Sequence, residues 1–386
     1  MVEARWLRWF GPGAVALGAL GLIASTTIGA GVRPWMPGPC AGPPASRVAA
    51  ARDPGATAPA DVKGAPWFRL DPVLAGDGGL TGQRLAVGIE GQRLVRSLDL
   101  ASEAFAAGPF GRFVVAGSDD GGTSRLQAID VDAGCAWALG QEASVIRRAT
   151  VDPTGTFIYE MRVDRDNRAD LGIWRRSMDG STLPVRVLPP IADDARFGRT
   201  FSTELTWDTS GDRLAVQSCG EAACRVRIVA PGSGPAMTLE EPDLGPLVGV
   251  DGDRVVTYEA CRGLPCPIVS TDLRNGDRRV LAPAAGHAVV VVSRDGSRLV
   301  HEDGAAGTGS LRAVDLEGTS ATDLGRLPAG LRLAPSPVQA AAATRLPIGW
   351  VLLAADGRLP IDGGDERPQL RHVPDGSTVT LDEALR

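Results

Sequence analysis

Six cysteines, three histidines and one dense run of carboxylates are the residues of this chain whose chemistry could define a function. Cys219 and Cys224 enclose four residues, and so do Cys261 and Cys266. Each pair brackets a short turn. Across such a turn opposed strand residues have Cβ atoms about 4.5–5.5 Å apart, close enough for a cystine with small adjustment. Two hairpin disulfides are expected, each contributing roughly 2 kcal/mol. The rival is a four-cysteine zinc site shared by neighbouring repeats, because paired thiolates a few residues apart can hold zinc. Cys40 and Cys135 remain, as a third disulfide joining the N-terminal region to the body or as free thiols.

His287, His301 and His372 read as falling in three different repeats, each as a structural or surface group. His301-Glu302 lacks the second histidine of a zinc-protease helix. No G-x-S-x-G elbow, phosphate loop or dinucleotide turn is present. No catalytic residue, cofactor-binding residue or metal ligand is therefore assigned, and no cofactor is expected. The carboxylate run is Asp164-Arg165-Asp166-Asn167-Arg168-Ala169-Asp170. The oxygens of Asp164, Asp166, Asn167 and Asp170 are of the kind calcium takes. Their spacing matches no EF-hand, and Arg165 and Arg168 offset the charge. The expectation is a solvated turn that forms a candidate rim-binding loop.

What must position these groups is a turn-rich chain. Of 386 residues, 49 are Gly and 29 Pro, which argues against long helices. Hydrophobic residues at 44% and charged residues at 22% fit a globular core. The net charge of −6, with basic groups scattered, excludes a nucleic-acid binder resting on a positive surface. Aromatics at 5% are too few for a repeated stacking platform.

Arg5 and Arg8 precede an uncharged, small and apolar stretch from Trp9 to Val32, closed by Arg33. A basic start, an apolar middle and small residues around Ala30 follow the plan of a secretory signal. At 24 positions the stretch also has the length of a membrane span. Residues 1–32 are thus a signal peptide or a single-pass anchor, with an apolar helix over 9–32 and everything beyond Arg33 exported. Residues 33–65, rich in Pro, Ala and Gly, read as a flexible linker.

From residue 66 to 386 one grammar repeats. A Gly-x-(Arg or aromatic)-apolar opening occurs at Gly82, Gly111, Gly155, Gly211, Gly252 and Gly296, with a degenerate copy at Gly349. Successive copies are 29, 44, 56, 41, 44 and 53 residues apart. Each is followed by a second strand and a polar turn, as in RSMDGS, VAPGSG and AVDLEG. A period of roughly 40–50 residues with about four short strands marks a β-propeller. The fold class is all-β, with seven blades favoured and six as the alternative. The interval from Asp99 to Gly111 leaves room for one strand. Either the first blade lacks a strand, or the N-terminal strands complete the last blade.

The units DPTGTFIY, DTSGDRLAVQS and SRDGSRLVHED resemble the TolB-like and WD-type propeller repeats of exported bacterial proteins. The likeness covers about residues 66–386. The Trp-Asp dipeptide is missing from the strand ends where it is expected, and no copy carries the His-Asp-Ser-Trp tetrad. The resemblance implies architecture more than activity, since such repeats serve binding proteins, assembly factors and enzymes alike. The resulting expectation is a non-catalytic exported module that binds a protein or cell-envelope partner through one rim. The alternatives are a hydrolase or lyase with its site at the central channel, and a subunit of a larger envelope assembly.

Overall fold

The computed structural model describes residues 38–51, 67–74, 80–88, 96–101, 105–107, 113–119, 123–130, 133–152, 155–191, 200–220, 224–230, 237–241, 244–261, 263–293, 296–304, 309–333, 350–355 and 369–380. Among them the chain is built almost wholly of strands, which fall into seven successive antiparallel meanders. Meander I is β2(Trp67–Leu74), β3(Leu80–Gly88) and β4(Arg96–Ala101). Meander II is β5(Phe105–Ala107), β6(Phe113–Asp119), β7(Ser124–Asp130) and β8(Cys135–Glu142), extended by the short parallel strand β1(Gly38–Pro39) outside β8. Meander III is β9(Val145–Val151), β10(Phe157–Val163), β11(Asp170–Ser177) and β12(Val185–Leu188). Meander IV is β13(Phe201–Trp207), β14(Leu214–Cys219), β15(Cys224–Val229) and β16(Met237–Glu240).

Meanders V and VI form one sheet of seven strands. V runs through β17(Leu244–Asp251), β18(Arg254–Glu259) and β19(Cys266–Asp272). VI runs through β21(Gly296–Asp303), β22(Ser310–Asp315) and β23(Ala321–Arg326). The 16-residue β20(Arg278–Ser293) serves both, as the last strand of V and the first of VI. Its pairing changes partner at Ala285, which faces Cys266 on one side and Asp303 on the other, between bulges in both ladders. Meander VII is β24(Leu331–Leu333), β25(Trp350–Ala355), β26(Gln369–His372) and β27(Thr378–Thr380).

The turn grammar explains the hairpins. Gly155, Gly211, Gly252 and Gly296, four of the glycines that define the repeat, follow first strands with positive φ, as glycine tolerates best. Before them Asp152 and Asp208 accept the backbone N–H groups of Thr156 and Phe157, and of Asp212 and Arg213.

Side chains that alternate along each second strand go to opposite neighbours. Ile158 packs with Phe113, Trp137 and Met178 between II and III, whereas Tyr159 packs with Trp207 and Leu214 between III and IV. Ala215 joins Val226 and Val255 between IV and V. Val256 and Leu299 share the core between V and VI, while Val300 and Leu353 share that between VI and VII. First strands of consecutive meanders also touch from β5 through β9, β13, β17 and β20 to β24. Sheets stacked face to face with inner strands adjoining make a propeller-type all-β array.

Two expectations need correction. The linker 33–65 was expected to be extended and unpacked, yet residues 38–51 are bound to meander II. There the helix α1(Pro44–Ala51) buries Val48 in the core shared by II and III, and Arg47 meets Asp130 at 3.1 Å. The apolar Val48 and the Cys40–Cys135 bond supply the docking that a Pro/Ala/Gly composition conceals. His287 and His301 lie on adjacent strands of one meander rather than in separate repeats. Meander I has three strands among the described residues, and β5 alone fills the interval after Asp99. Among the described residues no helix is long and apolar enough to cross a membrane, and residues 9–32 lie outside them.

All six cysteines are paired, as Cys40–Cys135, Cys219–Cys224 and Cys261–Cys266, with Cα separations of 4.9, 4.0 and 6.1 Å. The first closes a sequence separation of 95 residues and the others of 5. In the chain-entropy account these correspond to about 4.7 and about 2 kcal/mol. Cys40→Ser/Cys135→Ser should therefore lower stability to urea roughly twice as much as Cys219→Ser/Cys224→Ser, and should open residues 41–51 to protease.

Candidate functional site

Alternating strand directions put the first-to-second and third-to-fourth turns on one rim, called upper here. The second-to-third turns and the connections between meanders lie on the lower rim. The expected binding loop, residues 164–169, is on the lower rim between β10 and β11. Asp164 Oδ1 accepts the N–H groups of Asp166 and Asn167, both at 3.0 Å, and Asn167 Oδ1 accepts that of Ala169. Arg168 occupies the left-handed region at φ 59°. Asp170 leaves the loop: its Oδ1 accepts Gly172 N–H, and its Oδ2 accepts the amide and hydroxyl of Ser202 in meander IV. Asp164 and Asn167 thus cap backbone and Asp170 crosses to the next sheet, so these oxygens do not converge. Among the described residues no group of three or more His, Cys, Asp or Glu is placed to hold a metal ion.

The two short disulfides stand on the same rim, on the next two meanders. Cys219 and Cys224 are direct cross-strand partners at the end of the β14–β15 ladder. Cys261 and Cys266 pin the turn carrying Leu264, which is 40% exposed. Three neighbouring lower-rim turns are thus held, one by its own side chains and two covalently.

Polar groups also gather on the first strands, next to the axis. Arg148 of β9 meets Glu204 of β13 at 2.6 Å. Burial pushes the Glu204 carboxyl above its ordinary value, and the charge of Arg148 opposes this. Glu302 of β21 is fully buried and accepts the N–H of Leu333 at 2.7 Å, tying meander VI to VII. The imidazole Nδ1 of His287 lies 3.5 Å from the same oxygen, Oε1. At the upper end of the axis, Ser297 Oγ donates to Asp251 Oδ1 at 2.8 Å and lies 3.2 Å from Thr209 Oγ1, and Thr209 also donates to Asp251. Turns from IV, V and VI are joined there in one knot.

Sequence reasoning missed the charges inside the stack. Glu160 of β10 is wholly buried with Arg162 and Arg176, both of which donate to it. Glu142 of β8 completes the group, at 2.8 Å from Arg162 and 2.7 Å from Arg176. Arg162 lies over the Trp174 ring at 4.8 Å. Burial alone would lower the Arg176 pKa, but Glu160 and Glu142 bring it above its ordinary value.

Arg176 also donates to Leu139 O on the last strand of the preceding meander. Arg227 donates to Pro189 O, one residue past the last strand of the preceding meander, and Arg371 to Leu324 O on such a strand. Each arginine lies on a third strand. Gly140 and Gly325, which follow two of the acceptors, have φ of +129° and +86°. A Cβ at Gly140 would lie 3.0 Å from the Arg176 guanidinium. The readable signal was Leu-Gly inside an otherwise regular fourth strand, in WALGQE and TDLGRL.

No family model matches the chain, and no curated protein matches it. Similar solved structures are numerous. A structure from work on two prolyl endopeptidases matches at 12% identity, covering 82% of this chain and 48% of that one, with a TM-score of 0.56. An oligogalacturonate lyase in complex with manganese matches at 12% identity, covering 82% and 85%, with a TM-score of 0.52. TolB from Acinetobacter baumannii matches at 13% identity over 68% and 64%, with a TM-score of 0.42. The likeness is one of fold. The chain spans about half the length of the prolyl endopeptidase structure.

Removing Glu160 would leave two buried guanidinium groups short of their shared counter-charge. Glu160→Gln should cost about 3–5 kcal/mol in chemical denaturation. His301 is 3% exposed, and burial pulls its pKa below the ordinary value. The unfolded chain takes up that proton first, near pH 6.5, so this residue's contribution falls as pH drops below that value. Between about pH 7.5 and 5.5 the wild-type protein should lose more stability than His301→Gln, by up to about 1 kcal/mol per pH unit.

Proposed function

We propose that the chain is an exported, non-catalytic propeller of seven blades that binds a protein or cell-envelope component through its lower rim. The observation that carries this reading is the contrast between the two rims. At the upper rim the Thr209–Asp251–Ser297 knot draws three inner turns together at the axis. At the lower rim, consecutive blades present the capped loop 164–169 and two disulfide-pinned turns, one with an exposed Leu264. Turns already held in place lose little entropy on binding, which favours affinity. In this reading residues 1–32 are the export signal or anchor, residues 66–386 form the ring, and the repeat is of the TolB-like, WD-related kind. Three disulfides are consistent with an oxidising, extracytoplasmic compartment.

A second reading, a hydrolase or lyase acting at the axis, is favoured by one residue. His287 stands on a first strand with the buried Glu302 carboxylate behind its ring, an arrangement that could orient a general base. It would require His287→Gln to abolish an activity while leaving the fold intact.

Photo-crosslinking groups at Asp166 and Leu264 of the exported protein should capture the same discrete partner. A group at Arg274, on the upper rim, should not. Capture from the upper rim alone would reverse the assignment, and a stoichiometric set of several captured chains would mark a subunit of a larger envelope assembly.

A further inference from the structure

We infer that the upper rim of meanders II and III lies against the lipid bilayer, with Leu183 as its contact side chain. The inference deepens the proposed function and rests on residues 9–32 being retained as a membrane anchor. Two independent observations meet on this one patch.

The first is where the chain leaves the ring. β1 runs parallel to β8, with Gly38 opposite Cys135 and Pro39 opposite Ala136. Cys135 begins β8 directly after the upper-rim turn that pairs it with Asp130. The chain before Gly38 therefore departs from the upper rim. The departure point is held by the Cys40–Cys135 bond, by Cys40 N–H to Ala136 O at 3.2 Å, and by α1 with its buried Val48. Between the apolar stretch ending at Val32 and Gly38 stand only residues 33–37. Fully extended, they reach at most about 20 Å. A linker running free to residue 65 would let the ring tumble, whereas five residues hold its upper rim near the headgroups.

The second is what that rim exposes. Leu183 is 86% exposed, the highest value among the exposed large hydrophobic residues of the described chain, and Val185 near it is 48% exposed. They belong to the β11–β12 turn of meander III and the strand that follows. This turn rests on β8, since Trp137 Nε1 donates to Met178 O at 2.9 Å. A Cβ on Gly180 would lie 3.5 Å from Ala138 O. The exposed leucine and the chain's exit thus flank the same strand on the same rim. Apolar side chains at that height suit the interface between headgroups and acyl chains.

All six native cysteines are paired, so an introduced thiol is the one free thiol of the folded protein. Full-length protein carrying a fluorophore at Leu183→Cys or at Asp166→Cys is reconstituted into phosphatidylcholine vesicles with a lipid nitroxide near the headgroup. The lower-rim label lies about 25 Å further from the bilayer, a strand length away. Quenching at position 183 should exceed that at 166 by at least about twofold. Equal or reversed quenching in protein that floats with the vesicles would overturn the orientation and leave the anchor standing. A mature chain that begins after residue 32 and stays in solution would overturn the anchor, and the orientation with it.

Discussion

Burial of both faces of every inner sheet is the constraint from which the rest of the molecule follows. A single meander has no side to spare for water, so neighbouring residues on its second strand serve two different cores. Ile158 and Tyr159 do so on either side of meander III, and Val255 and Val256 on either side of V. Strands buried on both faces read as unbroken apolar runs rather than as alternating ones. Each unit can bury its surface only if the next is present, which makes the stack a cooperative array.

The same constraint explains the arginines. A polar group on a third strand points into a dry interface, where an unpaired charge is very costly. Arg176, Arg227 and Arg371 each reach across to a carbonyl of the preceding sheet. Arg176 and Arg162 share the buried Glu160 as well. Such contacts contribute less through net energy than through selectivity, because a register slip would strand the guanidinium group.

What could be read from the residues was local. The glycine turns, the aspartates that cap them and the two matched cysteine hairpins are all written within a few positions, and local chemistry decides them. Position across the stack was not legible. Arg176 looks like any charge in an alternating strand until Glu160 and Leu139 arrive from 16 and 37 residues away. Val48 and Cys40 sit in a Pro/Ala-rich stretch whose composition predicts an extended linker, and only a sheet edge far along the chain makes them a docked segment. The carboxylates of 164–170 showed their number but not their direction, and Asp170 turns out to belong to Ser202.

Meanders II and III, and VI and VII, are joined by connections outside any strand, at residues 143–144 and 327–330. V and VI are joined by one continuous strand, because β20 is the last strand of one and the first of the other, with bulges only around Ala285. No loop is available there to act as a hinge. Thermal breathing of the stack should therefore part it at other seams, with these two units moving as a single plate. The exposed turn at Leu264 and the Glu302 tie to meander VII ride on that plate, so a load applied to one is carried stiffly to the other.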